Sequence, residues 1–150
     1  LDRKRYMNTE GDWVKNRGLF PFDTTKQLLK SFAKKFVVLV EGPRDAARLI
    51  QANIPALAIL GSKNWTVAKR DLLMTLTGDD LSVVLLFDSD AAGQSASFAV
   101  KNTCKNIFDT IKVKLPEYTV EDGERVKCDV FNLDERRFGN LVSKLKRRYQ

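Results

Sequence analysis

Two aliphatic runs that each end in acid constrain this chain more than any other feature. Phe36-Val37-Val38-Leu39-Val40 leads into Glu41-Gly42-Pro43-Arg44-Asp45, and Val83-Val84-Leu85-Leu86-Phe87 leads into Asp88-Ser89-Asp90-Ala91-Ala92-Gly93. A continuous apolar run of strand length, without polar alternation, suits a parallel strand buried on both faces. In open α/β sheets ligands bind just beyond the carboxyl ends of the strands. Two acidic strand ends therefore predict a site for a divalent cation and for the anion that such a cation holds.

The rest of the chain supplies the layers that such strands need. Residues 1–23 are polar and basic and read as an extended arm, with a short strand around Gly18–Phe20. Asp23 and Thr24 offer an N-cap to a helix over 26–34 that buries Leu28, Leu29, Phe32 and Ala33. Pro43 suits the first turn of a helix over 43–52 with Ala46, Ala47, Leu49 and Ile50 inward. A second strand over 55–60 closes at Gly61-Ser62, and a helix over 66–76 turns Val67, Leu72, Leu73 and Leu76 to the core. The Asp88 strand end feeds a helix over 91–107. Short strands over 111–115 and 126–130 follow, with a polar turn at Glu121-Asp122-Gly123 between them and a basic helix from Asp134 to 148 after them. Strands alternating with helices at this spacing predict an α/β fold: a mostly parallel sheet flanked by helices, with an N-terminal extended arm and a basic C-terminal helix. The expected organisation is an arm and helix over 1–35 leading into a catalytic domain over 36–150.

Composition narrows the chemistry. The chain has 150 residues, 43% of them hydrophobic and 30% charged, as expected of one globular domain. No apolar run approaches the roughly 20 residues of a membrane span. There is no histidine, so a Cys/His zinc site and a histidine base are both ruled out. Cys104 and Cys128 lie far apart, which points to a reducing, cytoplasmic setting. The net charge is +7, with basic residues grouped at Arg3, Lys4 and Arg5 and at Lys144, Lys146, Arg147 and Arg148. Basic ends beside an acidic centre suit a phosphodiester partner, although Lys and Arg also serve simply to solvate a surface. The opening Leu1-Asp2 lacks an initiator Met, so a fragment or a processed product is expected.

Residues two apart on an extended strand point to the same side, so Asp88 and Asp90 can aim at one point beyond the sheet. Glu41 converges on that point if the two strands are neighbours, and Asp45 falls in the first turn of the following helix. Carboxylates brought this close repel one another unless a cation neutralises them, and all-oxygen ligation favours Mg²⁺ or Mn²⁺ over zinc. Either aspartate alone also serves as a helix N-cap.

The EGxxD and DxDxAG segments resemble the Toprim domain shared by DnaG-type primases, topoisomerases, overcoming-lysogenisation-defect nucleases and small RNA maturases. The primase branch is the most similar. Phe87-Asp88-Ser89-Asp90-Ala91-Ala92-Gly93-Gln94-Ser95-Ala96 resembles its FDGDxAGxxA segment, with Ser89 for the usual Gly. Arg5-Tyr6-Met7-Asn8-Thr9 resembles its KYxNS segment, and Gly61-Ser62 its Gly-Thr or Gly-Ser turn. The resemblance covers roughly residues 5–135 and implies a Rossmann-like Toprim fold with Mg²⁺ or Mn²⁺ as cofactor. It also implies Glu41, Asp88 and Asp90 as catalytic and metal-binding residues. A later DPD-like motif has its nearest match in Asp129 of Cys128-Asp129-Val130-Phe131, which is a ligand or else a surface residue ending a strand.

The function implied is synthesis of short RNA primers on a single-stranded DNA template from nucleoside triphosphates, in a bacterial or phage-infected cytoplasm. Arg5, Asn8, Arg44, Lys63, Lys69 and Arg70 are the expected nucleotide- and template-binding residues, with Asp45 an additional ligand. A replicative helicase would be met through flanking segments, and the divergent motifs suggest a phage or plasmid source. These 150 residues are expected to bind metal well and polymerise poorly. A Toprim nuclease and a non-catalytic nucleic-acid-binding module are the alternatives. Trp13 and Trp65 could stack on bases or close a core edge, and Phe20 and Phe22 read as packing anchors.

Overall fold

Four parallel strands carry the fold of the computed structural model, which describes residues 13–78 and 80–150. They are β1 (Phe36–Val40), β2 (Ala56–Ala58), β3 (Ser82–Leu85) and β4 (Asp109–Lys112), ordered β2-β1-β3-β4 across the sheet. Val38 registers with Ala56 on one side and Val84 on the other, and Val84 registers with Ile111. The two apolar runs are therefore the central, adjacent strands, which is why they show no polar alternation.

The pleat sends alternate β1 residues into separate cores. Phe36, Val38 and Val40 pack with Ala46 and Leu49 of α2 (Pro43–Gln51) and with Phe138, Leu145 and Tyr149 of α5 (Glu135–Tyr149). Val37 and Leu39 face the other way, toward Leu73 of α3 (Val67–Thr77) and Ala96, Val100 and Cys104 of α4 (Ala91–Cys104). Every β1 side chain is buried, each aliphatic one contributing about 1.5–3 kcal/mol of transfer free energy. Phe36 stacks on Tyr149 at 4.1 Å, so the basic C-terminal helix is pinned to the first strand. This is the α/β architecture expected, helices covering both sheet faces.

Several local expectations are corrected. Trp13–Arg17 forms a single π-helical turn where an extended arm is expected, and the first α-helix, α1, spans Phe22–Leu29 rather than 26–34, with Asp23 in its first turn instead of capping it. It follows Pro21, whose missing N–H a helix start does not need. Beyond Leu29 the chain tightens into three-residue turns, Ser31 N–H donating to Leu28 O and Phe32 N–H to Leu29 O, both at 3.1 Å, and Lys35 Nζ donates to the carbonyls of Leu29 (3.0 Å) and Phe32 (2.6 Å). Phe32 is buried beyond the helix, while Ala33, Ala47 and Val67 are exposed. The arm's short strand is a single antiparallel bridge, Phe20 to Ala58, with the Phe20 ring exposed. Trp65 is buried and donates to Thr103 Oγ1 at 2.6 Å, so it closes the core, whereas Trp13 is exposed.

The largest difference lies after β4. Tyr118–Glu121 (β5) and Glu124–Lys127 (β6) form an antiparallel hairpin, a second two-stranded sheet, where one later strand over 126–130 was expected. Asp122 (φ 50) and Gly123 (φ 79) are both left-handed, as the tight two-residue hairpin turn demands. No helix among the described residues is long and apolar enough to cross a membrane.

Candidate metal centre

Glu41 is the first residue past β1, and its backbone is clamped where the side chain emerges. Its carbonyl accepts from the N–H groups of Leu60 (3.0 Å) and Gly61 (3.1 Å). That turn needs its glycine: Gly61 has φ 125, and a Cβ there would lie 2.8 Å from Asn64 Nδ2. On the neighbouring strand, Phe87-Asp88-Ser89-Asp90 runs off β3 straight into α4. Asp90 caps that helix, its Oδ1 accepting from Gly93 N–H at 2.8 Å, and the Ser89 hydroxyl donates to the Leu115 carbonyl. The N-cap reading of Asp90 is met with one oxygen, and its second oxygen is turned elsewhere.

That oxygen meets a lysine. Lys127, the last residue of β6, places Nζ 2.9 Å from Asp88 Oδ2 and 2.5 Å from Asp90 Oδ2. Sequence reasoning missed this residue. The Asp122-Gly123 hairpin signal was legible, and period-2 alternation would have set Arg125 and Lys127 on one face. No spacing rule, however, connects a β6 lysine with aspartates beyond β3.

A cleft of about 280 Å³ opens at these strand ends, lined among others by Glu41, Asp45, Asp88 and Asp129. Asp45 is 8% exposed and already bonded: Oδ2 accepts from Gly42 N–H at 3.3 Å and Oδ1 from Phe131 N–H at 2.9 Å. Asp129 and Asn132 exchange backbone-to-side-chain hydrogen bonds of 2.8 Å in both directions, which holds the Asp129 loop at the cleft.

Burial and mutual repulsion set the charges. Desolvation, and after it the Asp88 charge, push the Glu41 carboxyl up to about 8. Burial followed by the Asp129 charge lifts Asp45 to about 7, against the pull of Phe131 N–H. Asp88 is raised by burial, with Lys127 opposing. Asp90 moves the other way: its slight burial is outweighed by hydrogen bonds from Lys127 and Gly93, so it stays below the usual carboxylate value. Lys127 is held above the ordinary lysine value, its desolvation overcome by hydrogen bonds to Asp90 and Asp88.

Of the expected basic residues among those described, Lys63 is exposed and sits two residues past Gly61, which lines the cleft. The expectation for Lys69 is not met. Its side chain is fully buried and donates to Ile59 O and Val14 O, both at 2.7 Å, holding the β2 end and the N-terminal segment together. Arg70 is engaged with Asp71 Oδ1 (2.9 Å) and Thr103 O (3.2 Å), near the C-terminus of α4. That 14-residue helix separates it from Asp90 by about 20 Å. Arg44 stacks on the Phe131 ring at 3.9 Å and lines a neighbouring hollow. Arg5 and Asn8 lie outside the described residues.

As their side chains stand, no three acidic groups among the described residues are gathered closely enough to hold an ion. The residues nonetheless fit a hard divalent cation. The donors are carboxylate oxygens throughout, Glu41 Oε1 is buried with no hydrogen-bond partner, and a cation (the Lys127 ammonium) already bridges Asp88 and Asp90.

The Toprim-like family model matches residues 38–124, more than half of the chain. A DNA primase of Thermotoga maritima is 31% identical over 99 residues, which is 64% of this chain and 16% of that protein. The RNA polymerase domain of Mycobacterium tuberculosis primase DnaG has a similar fold, with a TM-score of 0.64 and 22% identity, covering 91% of this chain and 42% of that one. The chain thus spans less than half the length of either relative.

Proposed function

This chain belongs to the Toprim-like family, and from that premise we propose that residues 36–150 form the catalytic metal centre of a primase, with residues 1–35 leading into it. The reaction would join nucleoside triphosphates into short RNA primers on a single-stranded DNA template. One observation carries the reading. Glu41 and Asp88 leave adjacent parallel strands at the same edge and line one cleft, with Asp90 tied to Asp88 through the shared Lys127 ammonium, in a chain whose relatives are primases. Two free, buried cysteines support a cytoplasmic setting.

Asp88 and Asp90 would hold the principal Mg²⁺ or Mn²⁺, with Glu41, Asp45 and Asp129 lining the same cleft. When bound, the cation would spread charge at the transferring phosphorus and ease loss of the proton from the attacking 3′-hydroxyl. The Asp90 cap to Gly93 fixes the aspartate pair relative to α4, and the clamp on the Glu41 carbonyl fixes the opposite side. Lys63, exposed two residues past the cleft-lining Gly61, suits a phosphate.

The test pairs a calorimetric Mn²⁺ titration of the chain with template-directed primer synthesis by a longer protein that carries it, each with and without the Asp88→Asn, Asp90→Asn substitutions. Metal binding and primer synthesis that both vanish in the variant support the reading. Binding that persists in the variant removes the strand ends as the metal centre, and metal-dependent cleavage in place of synthesis makes the chain a nuclease.

A further inference from the structure

The Lys127 ammonium engages one oxygen of each aspartate, and those are the two groups assigned to the principal cation. We propose that Lys127 is an internal counter-ion occupying the place of the divalent cation between Asp88 and Asp90, so that binding of the cation requires the lysine side chain to swing out. The inference rests on the metal-centre reading above and adds a competitor within the chain.

Three features carry it. Asp88 Oδ2 and Asp90 Oδ2 both contact Nζ, at 2.9 and 2.5 Å, and an ammonium at those distances leaves no room for a second cation on the same oxygens. The lysine has somewhere to go: its side chain is 54% exposed, against 12% for Asp88. Its backbone, by contrast, is fixed. Tyr118 pairs with it across the hairpin, Asn132 Nδ2 donates to its carbonyl at 2.7 Å, and Cys128 N–H donates to Glu117 O at 3.3 Å. Rotation of one side chain therefore opens the centre, with no movement of the hairpin. Lys127 also lies beyond residues 38–124, the segment the family model matches.

Competition of this kind lowers apparent affinity by the fraction of time the centre is open. The experiment is a calorimetric Mn²⁺ titration of the unmodified chain, Lys127→Met, Lys127→Arg, and Lys144→Met as a control for the loss of one surface charge. Metal-free thermal unfolding of each is measured alongside. A latch closed nine-tenths of the time predicts that Lys127→Met binds Mn²⁺ about tenfold more tightly, while Lys127→Arg and Lys144→Met bind no more tightly than the unmodified chain. Without metal, Lys127→Met unfolds at lower temperature, since two aspartates lose their counter-charge, and saturating Mn²⁺ erases that deficit. A lysine with a merely structural role would give the lower unfolding temperature without the gain in affinity. Equal or weaker binding by Lys127→Met, with binding still abolished by Asp88→Asn, Asp90→Asn, overturns the counter-ion and leaves the metal centre standing. Absence of Mn²⁺ binding in every variant overturns both.

Discussion

Gly93 lies so close against Asp88 that a Cβ on it would sit 1.9 Å from the Asp88 carbonyl oxygen. The first turn of α4 thus rests directly on the backbone of the residue that opens the aspartate pair. On helix propensity alone, Gly to Ala gains about 1 kcal/mol. At Gly93 the clash reverses the sign, and Gly93→Ala is expected to cost about 3 kcal/mol or more, at the upper end of overpacking penalties. Gly139, also helical, has nothing within 4 Å of its would-be Cβ, so Gly139→Ala should gain up to about 1 kcal/mol. Urea unfolding of the two variants checks the contrast, and Gly93→Ala should lose Mn²⁺ affinity as well. Equal stability changes in the two would dismiss the close approach.

Arg48 does for the Asp129 loop what Gly93 does for the aspartate pair. Its Nη1 contacts the carbonyls of Val130 (2.8 Å), Phe131 (3.1 Å) and Leu133 (2.5 Å), while its guanidinium stacks on Phe138 at 4.0 Å. A lysine cannot gather three carbonyls and stack in the same pose. Arg48→Lys is expected to cost about 2 kcal/mol, in line with charge-assisted hydrogen bonds left unmade. Hydrogen exchange should accelerate at Phe131 and Asn132 before it does in β1. Uniform protection across the chain would show the loop to be held by other contacts.

The sheet was legible because β1 and β3 are buried on both faces, and only an uninterrupted apolar run such as Phe36–Val40 meets that demand. The acids at their ends were legible for the same reason: the hydrophobic run stops where the sheet stops. Boundaries set by single tertiary contacts were not. Lys35 folds back onto the carbonyls of Leu29 and Phe32 beyond α1, and no helical period encodes that. Lys69 sits in a sequence that reads as a solvated helix face, yet two backbone carbonyls 10 and 55 residues away draw it inside. The hairpin was half read, its Asp122-Gly123 turn recognised but its first strand missed, because Tyr118–Glu121 is short and mostly exposed. Lys127 escaped entirely, since its role depends on where that hairpin docks.

Lys69 gives the chain a distinct alkaline signature. Desolvation lowers its ammonium to about 8, from 10.5 in an exposed chain. A base with a depressed folded value contributes stability that is fully present above pH 10.5 and lost as pH falls through 8. Relative to Lys69→Met, the unmodified chain should therefore gain stability between pH 8 and pH 10.5, by at most about 3 kcal/mol at 1.36 kcal/mol per pH unit. Chemical denaturation of both proteins at steps of pH measures the difference, in which titration of the other lysines cancels. A flat difference would mean that the bonds to Ile59 O and Val14 O stabilise the ammonium enough to offset its burial.

Glu41 is where stability and activity should part company. Its Oε1 is buried with no hydrogen-bond partner, and burial, with the like charge of Asp88 after it, raises its pKa. In the metal-free chain an ionised Glu41 is thus a liability, kept only if the carboxylate is needed elsewhere. Glu41→Gln preserves shape and removes the charge. At pH 8 without metal it should stabilise the fold by about 1 kcal/mol, the usual scale of relieving one unfavourable charge contact. In the presence of Mn²⁺ the same variant should bind the ion more weakly. Thermal unfolding with and without Mn²⁺ reads both halves at once: the variant is the more stable protein without metal and the less stable one with it. A Glu41→Gln chain destabilised under both conditions would make the glutamate a structural residue and remove it from the metal centre.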